Sequence, residues 1–307
     1  MKKVTFCSLG YLALLICLLF SSSVHAQSDF SNQEIDQITM TSRQSELDVR
    51  EEYISEILDL ALSLSKDKYG EYVVKQLPIS MPNDQTFYEL SLGKTINLAM
   101  SGATTDKDHL AIPIRIPIRR GILNYRLLVI NKNKQALFKG ITSFAQLKAL
   151  TAGIHANAVT AEIMKLQGFS VVEGASYDGM FKQLSHNRFD YIPRGVHEAY
   201  DELQLRAATL DNLMIEPNLA IYMPMPYYIY VSPKFPRLVK RIEYGLEKMI
   251  EQKLIKTIFD KYYAEDVARA NLAQRTIIDI GNPFLSSKTP FQRKELWIDE
   301  YAIKPTN

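Results

Sequence analysis

Residues 151–203 read TAGIHANAVTAEIMKLQGFSVVEGASYDGMFKQLSHNRFDYIPRGVHEAYDEL. Thr151–Ile154 has the pattern of a short strand, and Ala158–Leu166 that of a helix stopped by Gly168. Phe169–Val172 is a second strand. Tyr177, Met180, Phe181 and Leu184 then recur at helical spacing. Phe189–Ile192 (FDYI) is a third strand, followed by a helix from about Val196 to Leu203. Strands of four or five residues alternating with helices of this length predict an α/β architecture with parallel sheets.

The same grammar extends upstream. Gln37–Met40 and Tyr72–Gln76 alternate like strands. Between them Ile54, Ile57, Leu58, Ala61 and Leu64 give one apolar helical face. Asp48 and Glu51 are placed to form a capping box for that helix. Asp84–Leu92 is a helix ending at Gly93, a good C-terminal cap residue, and Ile96–Met100 is a strand. Leu127–Ile130 (LLVI) is continuously apolar, as in a strand buried on both faces. Ser143 and Gln146 are spaced to cap a short helix. Downstream, Leu219–Met223 and Tyr228–Val231 are strands around Pro224-Met225-Pro226. Two long amphipathic helices follow, marked by Leu238 to Ile250 and Leu254 to Tyr262. The segment from Asn271, with Pro283, Pro290 and Trp297, is expected to wrap over the surface.

The chain has 307 residues, 47% apolar and 23% charged, with 13 glycines and 13 prolines. That is a globular composition long enough for about two domains. Lys2 and Lys3 precede the apolar run Tyr11–Phe20, then Val24-His25-Ala26, the pattern of a cleavable export signal over residues 1–26. Both cysteines, Cys7 and Cys17, lie inside it, so the mature chain has no thiol for disulfides, nucleophilic catalysis or metal binding. Without those residues the basic and acidic groups balance, which argues against nucleic acid as a partner. The mature protein is expected in the periplasm.

No HExxH, GxSxG, P-loop or GxGxxG pattern occurs. Catalytic residues, metal ligands and cofactors are therefore all expected to be none, and the chain is read as a non-enzyme. Mature-chain histidines 109, 155, 186 and 197 are read as scattered surface or loop residues.

Several runs resemble the periplasmic solute-binding proteins of family 3, which bind amino acids and similar small polar molecules. Tyr88-Glu89-Leu90 to Gly93 followed by Ile96–Gly102 is similar to that family's helix–glycine–strand–loop unit. Tyr177–Arg188 with Phe189-Asp190-Tyr191 is similar to its second-lobe helix and strand, and Gly245–Ile250 with Phe259, Tyr262 and Tyr263 to its closing helices. Arg188–Tyr200 (RFDYIPRGVHEAY) resembles a diverged subgroup. The resemblance spans roughly Ile38 to Trp297. It implies a two-lobed type II periplasmic-binding-protein-like fold with two crossover strands. Lobe one is then 27–130 plus 224–307, and lobe two 131–223.

Ligands of open α/β sheets sit beyond the carboxyl ends of the strands. That places Arg43, Ser101, Thr104, Thr160, Tyr177, Asp178 and Arg194 at a candidate cleft. The family's carboxylate-clamping arginine aligns with Asp108, and its ammonium-binding aspartate with the segment Pro193-Arg194-Gly195. Arg115, Arg119 or Arg126 could substitute in lobe one, with Arg115 and Arg119 read equally as surface charges. Arg194, with a planar fork suited to a carboxylate or phosphate, reverses the usual charge layout if it reaches the cleft. The competing role for Arg194 is a structural ion pair with Glu198, four residues on. For Tyr177 and Asp178 the competing roles are packing and capping. Tyr222, Tyr227 and Tyr228 fit core or hinge packing better than a cleft wall. The function implied is capture of a small polar, anionic or zwitterionic solute by a monomer serving an inner-membrane permease or sensor kinase. The alternatives are a non-binding partner module of a membrane receptor and, behind it, an enzyme on the same fold.

Overall fold

The computed structural model describes residues 35–41, 49–156 and 158–298. The export segment 1–26, Arg43 and Asp48 lie outside them, and the Glu51 side chain is likewise not described. Among the described residues no helix is long and apolar enough to cross a membrane.

The chain opens with β1 (Asp36–Thr41), α1 (Val49–Leu64), α2 (Lys66–Tyr69) and β2 (Tyr72–Leu77), and β1 and β2 pair in parallel. Helix α3 (Asn83–Leu92) stops where expected. Gly93 takes a left-handed conformation (φ 64°) and its N–H bonds to Glu89 O, a conformation glycine enters without steric cost. Then come β3 (Leu98–Gly102), α4 (Thr105–Leu110), β4 (Ile112–Ile114) and β5 (Tyr125–Asn131). All seven residues of β5 are buried, as its apolar run predicts.

The middle of the chain forms α5 (Phe144–Lys148), β6 (Thr151–His155), α6 (Val159–Leu166), β7 (Ser170–Gly174), α7 (Tyr177–Ser185), β8 (Tyr191–Gly195) and α8 (Val196–Arg206). The Ser143 hydroxyl accepts from Gln146 N and the Gln146 side chain reaches back to Ser143 N, closing the expected capping box of α5. Ser143→Ala should therefore cost about 1 kcal/mol in a denaturant titration. An unchanged midpoint would show that the cap contributes nothing.

The third predicted strand, Phe189–Ile192, shifts towards its C-terminus. Asp190 is held in a turn, donating through its N–H to Thr151 O (2.9 Å) and accepting from Thr151 N (2.8 Å), so pairing begins at Tyr191. Pro193, Arg194 and Gly195 thus lie inside β8 rather than beyond it.

The return runs through β9 (Leu213–Tyr222), β10 (Tyr227–Val231), α9 (Pro236–Glu251), α10 (Leu254–Ala270) and β11 (Thr276–Asp279). One sheet has the order β3-β10-β4 and the other β11-β9-β5-β8-β6-β7. Parallel pairing holds for β1–β2, β6–β7, β6–β8 and β9–β11, but β5 is antiparallel to β8 and β9, and β10 to β3 and β4. The expectation of parallel sheets is thus met only in part. β5 and β9 run in opposite directions through one sheet, a relation that local alternation of elements does not specify.

Two main cores result. One packs α1, α9 and α10 through Ile57, Leu58, Ile242, Leu246 and Phe259, and the other packs α6 on the large sheet through Ile163, Met164, Leu128, Tyr191 and Ile221. The tail departs from expectation. Ile278 of β11 is fully buried in the second core and Trp297 is 3% exposed in the first. An apolar strand beside β9 and a buried indole remove more apolar surface from water than a surface wrap would.

Candidate functional site

One wall of the site is built from strand ends of the large sheet. Ser176 caps α7, accepting from Gly179 N at 3.1 Å, which leaves Tyr177 half exposed at the helix start. His155, the last residue of β6, stacks on the Tyr177 ring at 4.7 Å with 13° between planes. The Arg194 guanidinium lies 5.0 Å from the same ring, a cation–π contact.

Arg194 is also paired with two carboxylates. Its Nε donates to Glu202 Oε2 (2.6 Å) and one terminal nitrogen to Glu202 Oε1 (2.5 Å), while Glu198 Oε2 lies 3.0 Å away. Glu198 and Glu202 stand one turn apart on α8, so both face the residue just before the helix. Burial alone would push the Arg194 pKa down, but Glu198 and Glu202 more than offset it, leaving it above the ordinary arginine value. The sequence pointed to Glu198. Glu202 was missed, although the i, i+4, i+8 spacing carried the signal.

Arg126 stands in the register position of β5 opposite Gly195 of β8 and Ile221 of β9. It is 8% exposed. Among the described residues its only hydrogen bond goes to Met225 Sδ at 3.7 Å, and no carboxylate of those residues lies within ion-pair distance. Burial pushes its pKa down, Glu198 pulls it up and Arg194 pushes it down further. Met225 is held by its own N–H, which donates to Asn124 Oδ1 at 2.7 Å. Its Cγ and Sδ reach van der Waals range of the space above Gly102, at 3.5 and 3.7 Å from an ideal Cβ there. Met225 therefore fills the gap between Gly102 at the end of β3 and Arg126 on β5. The sequence reading did not single out Met225.

The other candidate residues lie on β3 and α4. Thr104 caps α4, accepting from Lys107 N at 3.4 Å. Lys107 Nζ donates to Ser101 Oγ and Gly102 O, both at 2.8 Å, and burial pushes its pKa below the usual lysine value. Asp108 is held by Arg115 (2.8 Å) and by the Tyr230 hydroxyl (3.2 Å). Asp108 and Arg115 thus neutralise each other. Arg119 is buried, 4.9 Å from the Tyr227 ring, rather than a surface charge.

Of the remaining candidates, Thr160 is half buried on α6. Asp178 lies on an exposed face and pairs with Arg206 at 2.6 Å. Tyr228 is fully buried, as core packing requires. His197 departs from the surface reading. Its side chain is 2% exposed, packed edge-on to Tyr263 and 3.6 Å from Glu198. A concavity of about 480 Å³ lined by Arg120, Phe259, Val267 and Ile298 involves none of the candidate residues. Among the described residues no group of three His, Cys, Asp or Glu side chains is arranged to hold a metal ion.

No family model matches the chain, and no curated protein matches its sequence. Solved structures do match its shape. The probable amino-acid ABC transporter extracellular-binding protein ytmK from Bacillus subtilis superposes with a TM-score of 0.54 at 15% identity, covering 76% of this chain and 100% of that one. A periplasmic His/Glu/Gln/Arg/opine family-binding protein from Silicibacter pomeroyi, solved with lysine, gives 0.51 at 12% identity, covering 75% and 98%. A structure from work on glutathione import in Streptococcus mutans through GshT and the cystine importer TcyBC gives 0.50 at 14%, covering 75% and 96%. The chain therefore has the two-lobed α/β fold of the type II periplasmic binding proteins.

Proposed function

We propose that this protein captures a small polar solute carrying an anionic group between its two lobes, in the periplasm, and delivers it unchanged to an ABC-type permease or a membrane sensor. The observation that carries this reading is the convergence of the strand ends. Arg126 near the start of β5 contacts the Met225 side chain, which follows β9 and reaches the space above Gly102 at the end of β3, while His155, Tyr177 and Arg194 stack at the carboxyl ends of β6 and β8. Arg126, a buried cation with no carboxylate of the described residues within ion-pair distance, favours an anionic solute. The lobe assignment, 27–130 plus 224–307 against 131–223, follows from taking β5 and β9 as the crossings.

A second reading has an observation of its own. Arg194, Lys107, Asp108 and Asp178 all find partners within the chain, which favours a partner module of a membrane receptor whose cleft no longer takes solute. A thermal-shift screen of amino acids, dicarboxylates, phosphate esters and uncharged polyols separates the two. A solute that binds only the folded state adds about 2.7 kcal/mol at a hundredfold excess over Kd. A hit should also reduce the radius of gyration in solution scattering, because ligand favours the closed arrangement of lobes. A screen without any stabilising solute would leave the partner-module reading standing.

A further inference from the structure

We propose that Arg126, rather than Arg194, receives the anionic end of the solute, and that the Met225 thioether occupies that position until the oxyanion displaces it. This assignment rests on the solute-binding reading above and names the residue and ligand chemistry of the same site.

The two arginines lie in opposite circumstances. Nε and one terminal nitrogen of Arg194 are already held by Glu202 and Glu198, so a solute binding the fork there would have to displace a carboxylate. Arg126 is 8% exposed, yet its described hydrogen bonding amounts to one long contact with a sulfur. A guanidinium carries five N–H donors, and thioether sulfur is a weak acceptor. A buried charge is normally paired and hydrogen-bonded, because desolvation is otherwise uncompensated. The chain instead faces Arg126 with a flexible, polarisable side chain that can repack at little cost. Gly195, with the His197 and Glu198 side chains packed over it, stands opposite Arg126 in the β5–β8 register, and Gly102 lies across the Met225 side chain. A carboxylate or phosphate oxygen pair matches the guanidinium fork bidentately.

The test compares thermal unfolding of the mature full-length protein with that of Arg126→Met, Arg126→Lys and Arg194→Met. It is run alone and with glutarate, inorganic phosphate or uncharged glutaramide at matched ionic strength. Without additive, Arg126→Met should melt at or above the wild-type temperature, because an underpaired buried cation has gone. Arg194→Met should melt lower, because Glu198 and Glu202 lose their cation. Glutarate or phosphate, but not glutaramide, should raise the wild-type melting temperature. That shift should vanish in Arg126→Met and return in part in Arg126→Lys. Titration should show at least about a tenfold weaker midpoint without the guanidinium, the factor expected from losing one charge-assisted hydrogen bond.

An Arg126→Met protein that melts below wild type without additive overturns the assignment, since Arg126 is then structural. So does an anion shift of equal size in that variant. If both anions fail on wild type while the broader screen finds an uncharged solute, the anion assignment falls and solute binding stands. If no solute in either set binds, the anion assignment and the solute-binding reading fall together, and the partner-module reading stands.

Discussion

Arg241→Ala is expected to lower the free energy of unfolding by about 3–5 kcal/mol, the range for breaking a buried, hydrogen-bonded ion pair from one side. Arg241 is fully buried on α9. Its guanidinium donates to Asp36 Oδ2 (2.7 Å), Ser65 Oγ (3.0 Å), Gly70 O (2.6 Å) and Glu71 O (3.1 Å), and lies 4.9 Å from the Tyr72 ring. One side chain thus fastens the start of β1 and the α2–β2 turn to α9. Alanine leaves the Gly70 and Glu71 carbonyls, both in part-buried hydrogen bonds, without this donor and Asp36 with Arg237 alone, which is itself partly exposed. Arg241→Lys should recover only part of the loss, because an ammonium cannot span the same four acceptors in the plane of a fork. Chemical denaturation reads both. The exposed pair of Lys261 and Glu56 (2.8 Å) is the control, and Lys261→Ala should change little. If the two alanine variants lose similar stability, the Arg241 network does not hold this end of the fold.

Gly245→Ala sets two effects against each other. In the interior of α9 alanine is favoured over glycine by about 0.8–1 kcal/mol of helix propensity. Against that, a Cβ built at Gly245 would lie 2.0 Å from the carbonyl oxygen of Ala61 on α1. A backbone oxygen cannot rotate out of the way, so α1 and α9 would have to separate and open the core around Leu58, Ala61, Leu62 and Leu246. Overpacking of this kind costs about 1–3 kcal/mol and occasionally more. A contact this short lies at the upper end, so the net expectation is a loss of about 2 kcal/mol. A stability gain in denaturant would mean that α1 and α9 can separate freely, and that the close approach does not fix the packing of that core.

The elements were legible because their signals are local. A helical apolar face in α7, the Gly93 stop of α3 and the Ser143–Gln146 cap each involve residues within a turn or two of one another. The site was legible only as a set of loops. Strand-end reasoning pointed to Ser101, Thr104 and Arg194 as candidates, and the spacing of Arg194 and Glu198 exposed one ion pair. It could not rank Arg126 above Arg194, because both are arginines beside apolar strands.

Periodicity and punctuation, which act on neighbouring residues, set the alternation of strands and helices and their approximate limits, whereas the two-lobed reading rested on the family resemblance of local runs. The tertiary structure alone decided strand direction in the large sheet, the insertion of β11 beside β9, and the burial of Trp297. It also decided which charges are neutralised. Asp108 meets Tyr230 and Arg126 meets Met225 across about a hundred residues of chain. Desolvation and pairing depend on everything that surrounds a group in space, and spacing along the chain carries no record of partners brought in from so far away.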